Sequence, residues 1–302
     1  MTQRHIPVLQ REVLDALRPA NGETYVDLTA GFGGHAQLVL DKLGSNGSAY
    51  LIDQDQAALQ ALYEKFHADR RVHIYRANFA ELDWSALSSP DCILADIGVS
   101  SVQLDDATRG FSFRHDAPLD MRMDQSRGQT AAELIAEISE LDLANLIWRY
   151  GEEKKSRQIA RAIIMERATR PITTTTQLAE LVRAQFPGGY HRIDPATRTF
   201  QALRIVVNQE LVMLERMLDY ALVALAPGGR LAVISFHSLE DRIIKQKMRD
   251  ITRDLCDTIT GQALQESQFR LVTKRPIIPA DNEIAYNPRA RSAKLRVVEK
   301  KK

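Results

Sequence analysis

Hydrophobic positions along the chain recur in two rhythms. Over the first hundred residues, short apolar runs alternate with stretches of helical spacing. TYVDL (24–28) reads as a strand, and 34–43 as a helix stopped by Gly44. SAYLID (48–53) is a second strand. Asp55 stands where it would cap a helix over 56–67, in which Leu59, Leu62, Tyr63 and Phe66 share one face. RVHIY (71–75) and DCILADIG (91–98) are further strands, the latter apolar enough for burial on both faces. Strands alternating with helices predict a parallel sheet with right-handed crossovers.

The rhythm then breaks. Residues 105–128 are rich in Asp, Arg, Gly and Met and show no period. From 130 to about 226 the pattern is helical throughout. AAELIAEI, LDLANLIWRY, SRQIARAIIMERA and TTQLAELVRAQF predict four helices, and QALRIVVNQELVMLERMLDYALVAL a long fifth. Strand pattern returns at GRLAVISF (229–236), behind the turn Pro227-Gly228-Gly229, and HSLEDRIIKQKM predicts one more helix. FRLVTK (269–274) and AKLRVVE (293–299) are expected to pair as an antiparallel edge. The prediction is an α/β core, 1–104 plus 206–302, interrupted by an all-helical insertion over 105–205. No internal repeat or low-complexity tract is present.

Composition narrows the class a little. The 302 residues are 44% hydrophobic and 26% charged, ordinary for a soluble globular protein. No apolar run suggests a membrane span, and the charged start MTQRHIPVLQREVLDALRP, with Arg4 and Arg11 among its charges, does not read as a leader. Two cysteines far apart, Cys92 and Cys256, suit a reducing compartment. Net charge is only +1, but residues 286–302 hold seven Lys/Arg against one Glu, and 149–170 seven against three. Such segments can face a polyanion or can be merely solvated.

The candidate chemistry starts at YVDLTAGFGGHAQLVL (25–40). Glycines between a strand and a helix permit a tight turn and close approach of a ligand. Alone they would suit NAD, FAD or S-adenosylmethionine, or only tight packing. Asp27, four residues before Gly31, suits an ammonium or sulfonium better than a phosphate. Asp53 ends the second strand, where a carboxylate can accept from ribose hydroxyls or cap a turn. Asp96 ends the fourth strand. Ligands in open α/β sheets bind beyond the carboxyl ends of the strands, where Asp27, Asp53, Asn78, Phe79 and Asp96 would all lie. Phe79 reads either as a wall for an adenine ring or as core. The spacing is similar to that of class I S-adenosylmethionine-dependent methyltransferases, whose core is Rossmann-like.

Longer motifs are more specific. DIGVSSVQLDDATRGFSFRHDAPLDMRMD (96–124) closely resembles the signature stretch of the ribosomal RNA small subunit methyltransferase H family. So do GFGGH (31–35), YGEE (150–153), ARAI (160–163), DPATRTFQALRIVVNQEL (194–211), APGGRLAVISFHSLEDR (226–242) and NPRARSAKLR (287–296). The resemblance covers nearly the whole chain. It implies methylation of the exocyclic N4 of a cytidine in 16S rRNA of the small ribosomal subunit, in the bacterial cytoplasm. It also implies a methyltransferase core carrying an inserted helical domain, which could serve as a homodimer surface. It carries cofactor contacts onto Gly33, Gly34, His35, Asp53, Phe79, Asp96 and Gln103. Gly33-Gly34-His35 would present N–H groups at a helix start to the methionine carboxylate. Asp53 would hold the ribose, Phe79 pack on adenine, and Gln103 supply an amide hydrogen bond.

The methyl of a sulfonium is already activated, so the chemistry needs no metal, and no zinc-ligand spacing is read. Catalysis requires positioning of N4 and an acceptor for its N–H as positive charge develops, a role for which Asp96 is the candidate. Many amino-group methyltransferases carry Asp/Asn-Pro-Pro-aromatic at this strand end. Here the text is Asp96-Ile97-Gly98-Val99, so the residue that stacks on the base is not identified. Phe111 and Phe113 are candidates, equally readable as packing. His237 to Asp241 read either as a substrate segment or as a cap built on Ser238 and Asp241. Asp116, Asp120, Arg122 and Asp124 either bind substrate or make ion pairs between domains. Arg289, Arg291 and Arg296 are expected RNA-phosphate contacts. The rival readings are an NAD-dependent oxidoreductase, a non-catalytic RNA-binding module, and a methyltransferase of another RNA or of a small molecule.

Overall fold

The computed structural model describes residues 6–87, 89–99, 101–188, 191–257 and 262–302; Arg4 lies outside them. In chain order the elements are α1 (Gln10–Leu17), β1 (Thr24–Asp27), α2 (Gly34–Leu43), β2 (Ser48–Asp53), α3 (Gln56–Phe66), β3 (Val72–Arg76) and β4 (Cys92–Asp96). There follow α4 (Ser101–Asp105), α5 (Ala131–Glu137), α6 (Glu140–Gly151), α7 (Ser156–Arg167), α8 (Thr175–Ala184), α9 (Ala196–Val207) and α10 (Glu210–Ala224). The last are β5 (Arg230–Ser235), α11 (Ser238–Ile251), β6 (Leu255–Cys256), β7 (Ala263–Gln265), β8 (Phe269–Leu271), α12 (Asp281–Tyr286) and β9 (Lys294–Lys300). The chain forms two compact units, Met1–Gly98 with Leu211–Lys302, and Val99–Glu210.

The first unit holds a sheet of seven strands among the described residues, in the order β3-β2-β1-β4-β5-β9-β8. Pairs from β3 to β5 are parallel, whereas β9 runs antiparallel to both β5 and β8. This is a Rossmann-like, doubly wound arrangement, with strand order reversing at β1–β4. The two predicted C-terminal strands do pair, but only β8 is an edge. Alternation divides the sheet's side chains. Tyr25, Leu51, Leu94 and Ile234 pack beneath Val13, Val39, Leu62 and Phe66 of α1 to α3. Val26, Ile52, Ile93 and Val233 pack beneath Leu214, Leu218, Ile244 and Met248 of α10 and α11. Asp55 caps α3 as expected, its Oδ1 accepting the Ala57 N–H at 2.9 Å.

The second unit is built on the helical rhythm. Leu143 and Ile147 of α6, Ile159 and Ile163 of α7, Leu178 and Val182 of α8, and Phe200 and Leu203 of α9 make one core. The aperiodic stretch belongs to it, through Leu119 and Met121, both essentially inaccessible. Asp120 and Arg122 pair within that stretch at 2.8 Å, and Asp124 pairs with Arg127 at 3.1 Å. Asp116 accepts from the Thr176 hydroxyl. The charged cluster thus ties its own loop together and fastens it to α8.

The long fifth helix is two helices. The chain breaks at Asn208–Gln209, where Gln209 takes φ 51°. The Asn208 side chain explains the position. Its amide donates to Met121 O (2.8 Å) and Arg204 O (2.9 Å), and its Oδ1 accepts from Met123 N (2.7 Å). Among the described residues, no helix is long and apolar enough to cross a membrane.

Candidate active site

The glycine turn is fastened from the neighbouring strand end. Gly31 and Gly33 adopt φ 53° and 68°, left-handed values that disfavour side chains. The Gly31 N–H donates to Asp53 Oδ2 at 2.8 Å, and the Asp55 N–H to Asp53 Oδ1 at 2.9 Å. Asp53 therefore clamps two loops, and its half-buried carboxylate has lone pairs left for a further donor. Burial raises its pKa, while the N–H bonds pull the other way.

Packing also dictates the glycines. A Cβ on Gly33 would come 2.5 Å from the Phe66 ring, and one on Gly34 would run into Pro7. The Gly33 N–H is spent on Ala30 O (2.8 Å), and the Gly33 carbonyl accepts from Lys65 Nζ at 2.7 Å. This qualifies the expectation that all three N–H groups of Gly33-Gly34-His35 face a ligand.

Three carboxylates gather at the ends of β1, β2 and β4. Asp27, 1% exposed, accepts from the Tyr25 hydroxyl at 2.9 Å and from Thr29 N at 3.2 Å. Thr29 Oγ1 in turn accepts the Asp96 N–H at 2.7 Å. Asp96 Oδ2 lies 3.9 Å from His35 Nε2, whereas Asp96 Oδ1 is buried with no hydrogen-bond partner among the described residues. Burial, reinforced by the negative charges of Asp27 and Glu240, pushes the Asp96 pKa up to about 8. Burial lifts Asp27 to about 7, against the opposing bonds from Tyr25 and Thr29. A buried acceptor without a donor is costly. Buried acids at this strand end suit a ligand that brings positive charge and N–H groups, and the residues present therefore fit S-adenosylmethionine.

The remaining candidates divide. Phe79 is half-buried against the cluster that includes Leu87 and Ile52, and neighbouring Asn78 donates to Gln54 Oε1 at 3.1 Å. Gln103 is buried on α4 of the second unit. Phe111 is 7% exposed inside the second unit's core, so its ring is packing rather than a base platform. Phe113 stands edge-on to Phe200 at 4.7 Å between centroids, with the Arg183 guanidinium 5.4 Å over its ring.

Of the arginines, Arg291 is exposed and Arg289 half-buried, both in the turn Pro288–Ser292. Arg296 is 8% exposed, and its Nε donates to Asp241 Oδ1 at 2.7 Å. It joins β9 to α11 and leaves the set available to phosphate. Lys294 joins the same carboxylate at 3.1 Å. That explains why Asp241 does not cap α11. His237 caps it instead, its Nδ1 accepting from Glu240 N, while Glu240 Oε2 accepts from Phe236 N (2.8 Å) and His237 N (3.2 Å). Tyr25 and Thr29 were not singled out by sequence, and Glu240 entered only within the segment from His237 to Asp241. Only Tyr25 carried a signal, lying two residues from Asp27 on one strand face.

Proteins named ribosomal RNA small subunit methyltransferase H match along almost the full length. The one from Xanthomonas axonopodis pv. citri (strain 306) is 50% identical over 301 residues, 98% of this chain and 87% of that protein. That of Xanthomonas euvesicatoria pv. vesicatoria (strain 85-10) is 48% identical, covering 98% and 88%. That of Stenotrophomonas maltophilia (strain R551-3) is 47% identical, covering 98% and 93%. The family model described as the MraW methylase family matches residues 2–301, and the chain belongs to that family.

Proposed function

We propose that this protein is an S-adenosylmethionine-dependent methyltransferase acting on the exocyclic N4 of a cytidine in 16S rRNA of the small ribosomal subunit, in the bacterial cytoplasm. The observation that carries the reading is the unpartnered, buried Oδ1 of Asp96 at the end of β4. The cofactor supplies an activated methyl group when bound. Asp53 holds ribose hydroxyls with the lone pairs that its bonds from backbone N–H groups leave. The start of α2 at Gly34 and His35 offers N–H groups to a carboxylate. Phe79 presents the exposed part of its ring to an adenine.

Asp96 has the demanding role. The N4 lone pair of cytosine is delocalised into the ring, so N4 is a weak nucleophile until its N–H bonds are oriented and polarised. An ionised Asp96 accepting an N4–H bond stabilises the positive charge that develops there. The bond that the Asp96 N–H donates to Thr29 Oγ1 fixes where that carboxylate begins.

The experiment is incubation with isotopically labelled S-adenosylmethionine and small subunits lacking the modification, then identification of the labelled nucleoside by mass. Label in N4-methylcytidine, lost in Asp96→Ala, is the expected result. Cofactor binding without label in subunits or naked rRNA would overturn the assignment.

A further inference from the structure

A cytosine whose N4 meets Asp96 needs a surface for its ring, and the strand end after Asp96 carries no aromatic side chain. The neighbouring strand supplies one. β5 lies beside β4 in parallel, with Asp96 level with Ile234. Ile97 N donates to Ile234 O at 2.9 Å, so the pairing continues one residue past the end of β4. Two residues beyond Ile234 stands Phe236, and two beyond Asp96 stands Gly98. A Cβ on Gly98 would lie 3.3 Å from Phe236 Cδ2. Gly98 has φ 119°, a conformation that glycine alone adopts readily, and its missing side chain leaves the ring edge against bare backbone.

Alternation decides which face the ring occupies. Asp27, Asp53, Asp96 and Phe236 share strand parity with Tyr25, Leu51, Leu94 and Ile234, all on the face covered by α1 to α3. Phe236 is half-buried and packs partly against that cluster. Strand order sets the sequence across the edge: Asp53 on β2, Asp27 on β1, Asp96 on β4, then Phe236 after β5. Asp53 and Phe236 therefore flank Asp96 from opposite sides, with about 5 Å between adjacent strands. The backbone that carries the ring is also held in place. The Phe236 backbone N–H donates to Glu240 Oε2 at 2.8 Å, Glu240 is fully buried, and His237 caps α11 immediately after Phe236.

We infer that Phe236 is the aromatic wall against which the target base stacks, on the far side of Asp96 from the ribose-binding Asp53. This rests on the methyltransferase reading above. It gives the place of the missing strand-end aromatic to the residue that follows the adjacent strand.

The test uses full-length protein, undermodified small subunits and saturating S-adenosylmethionine. Phe236→Leu keeps an apolar side chain on the cluster and removes the π face, whereas Phe236→Tyr and Phe236→Trp keep the face. Stacking of one base predicts a fall of about tenfold or more in kcat/KM for subunits in Phe236→Leu. S-adenosylhomocysteine affinity and Tm should stay near wild type, and the aromatic variants should retain most of the activity. Wild-type kcat/KM in Phe236→Leu overturns the assignment, as does a parallel loss of cofactor affinity or of fold in all three variants. Absence of turnover by the wild-type protein, by contrast, overturns the methyltransferase reading and this one with it.

Discussion

Thr29 Oγ1 accepts the backbone N–H of Asp96 at 2.7 Å, joining the end of β1 to the end of β4 where the strand order reverses. Thr29→Val keeps the shape and leaves that N–H without an acceptor, which should cost about 1–2 kcal/mol. Thr29→Ser should behave nearly as wild type. Denaturant unfolding gives the stability and kcat the placement of Asp96. Equal kcat in both variants would mean that the bond does not position the carboxylate.

Asp27 is held above the usual carboxylate range, at about 7, chiefly by burial. Below about pH 4 it is protonated in both folded and unfolded chains. Between about 4 and 7 the folded chain binds more protons, so stability falls as pH rises. The full difference corresponds to about 4 kcal/mol if nothing relaxes. Asp27→Asn should flatten this fall and make the ligand-free protein more stable than wild type at pH 8. Urea midpoints measured from pH 5 to pH 8.5 would show it. An unchanged slope would remove Asp27 from the account.

Asp96, raised to about 8, is largely protonated in the ligand-free protein at neutral pH. A bound sulfonium and ammonium would favour its ionised form, so S-adenosylmethionine binding should release protons. Affinity should therefore rise between pH 6 and 8. Calorimetry in two buffers of different ionisation enthalpy counts those protons. Asp96→Asn should lose both the release and the pH dependence.

Gly33→Ala combines a left-handed φ of 68° with a Cβ 2.5 Å from the Phe66 ring. Conformational strain and overpacking together should cost about 2–4 kcal/mol. Adding Phe66→Leu should recover the overpacking part alone. A double variant no more stable than the single one would show that backbone strain accounts for all of it.

Arg296 and Arg291 should separate cleanly. Arg296→Ala strips the partly buried Asp241 of one partner and should lower Tm by several degrees. Arg291→Ala should leave Tm alone. If Arg291 meets a phosphate, its loss should reduce the salt slope of subunit binding by about 1. Filter-binding titrations at several salt concentrations decide this.

The parts of the site legible in the sequence were those with local causes. The glycine turn, Asp53 and Asp96 follow from strand periodicity and from where a strand must end. The Asp55 cap needs only its own helix. What escaped depends on distant partners. Asn208 breaks a continuous helical pattern because it serves residues 121 and 123. Arg296 looked like a nucleic-acid contact because nothing near it in sequence reveals Asp241. That same Asp241, occupied by Arg296 and Lys294, displaces the α11 cap onto His237 and Glu240. Phe111 is buried by helices that lie well downstream of it. Short elements such as α4, α12 and the paired strands β6 and β7 are too brief to show a period.

The pairing of β4 with β5 has a kinetic consequence. Cys92 meets Arg230 only after the chain has passed through the whole of Val99–Glu210. Closing so long a loop while it is disordered opposes the encounter entropically. The intervening segment is helical, and contacts local in sequence form quickly. Asn208, near its end, reaches back to Met121 and Met123, so the segment can draw its own chain in before the two strands meet. Refolding of this protein should then show helix formation ahead of the central strand pairing, with Asn208→Ala slowing the later phase.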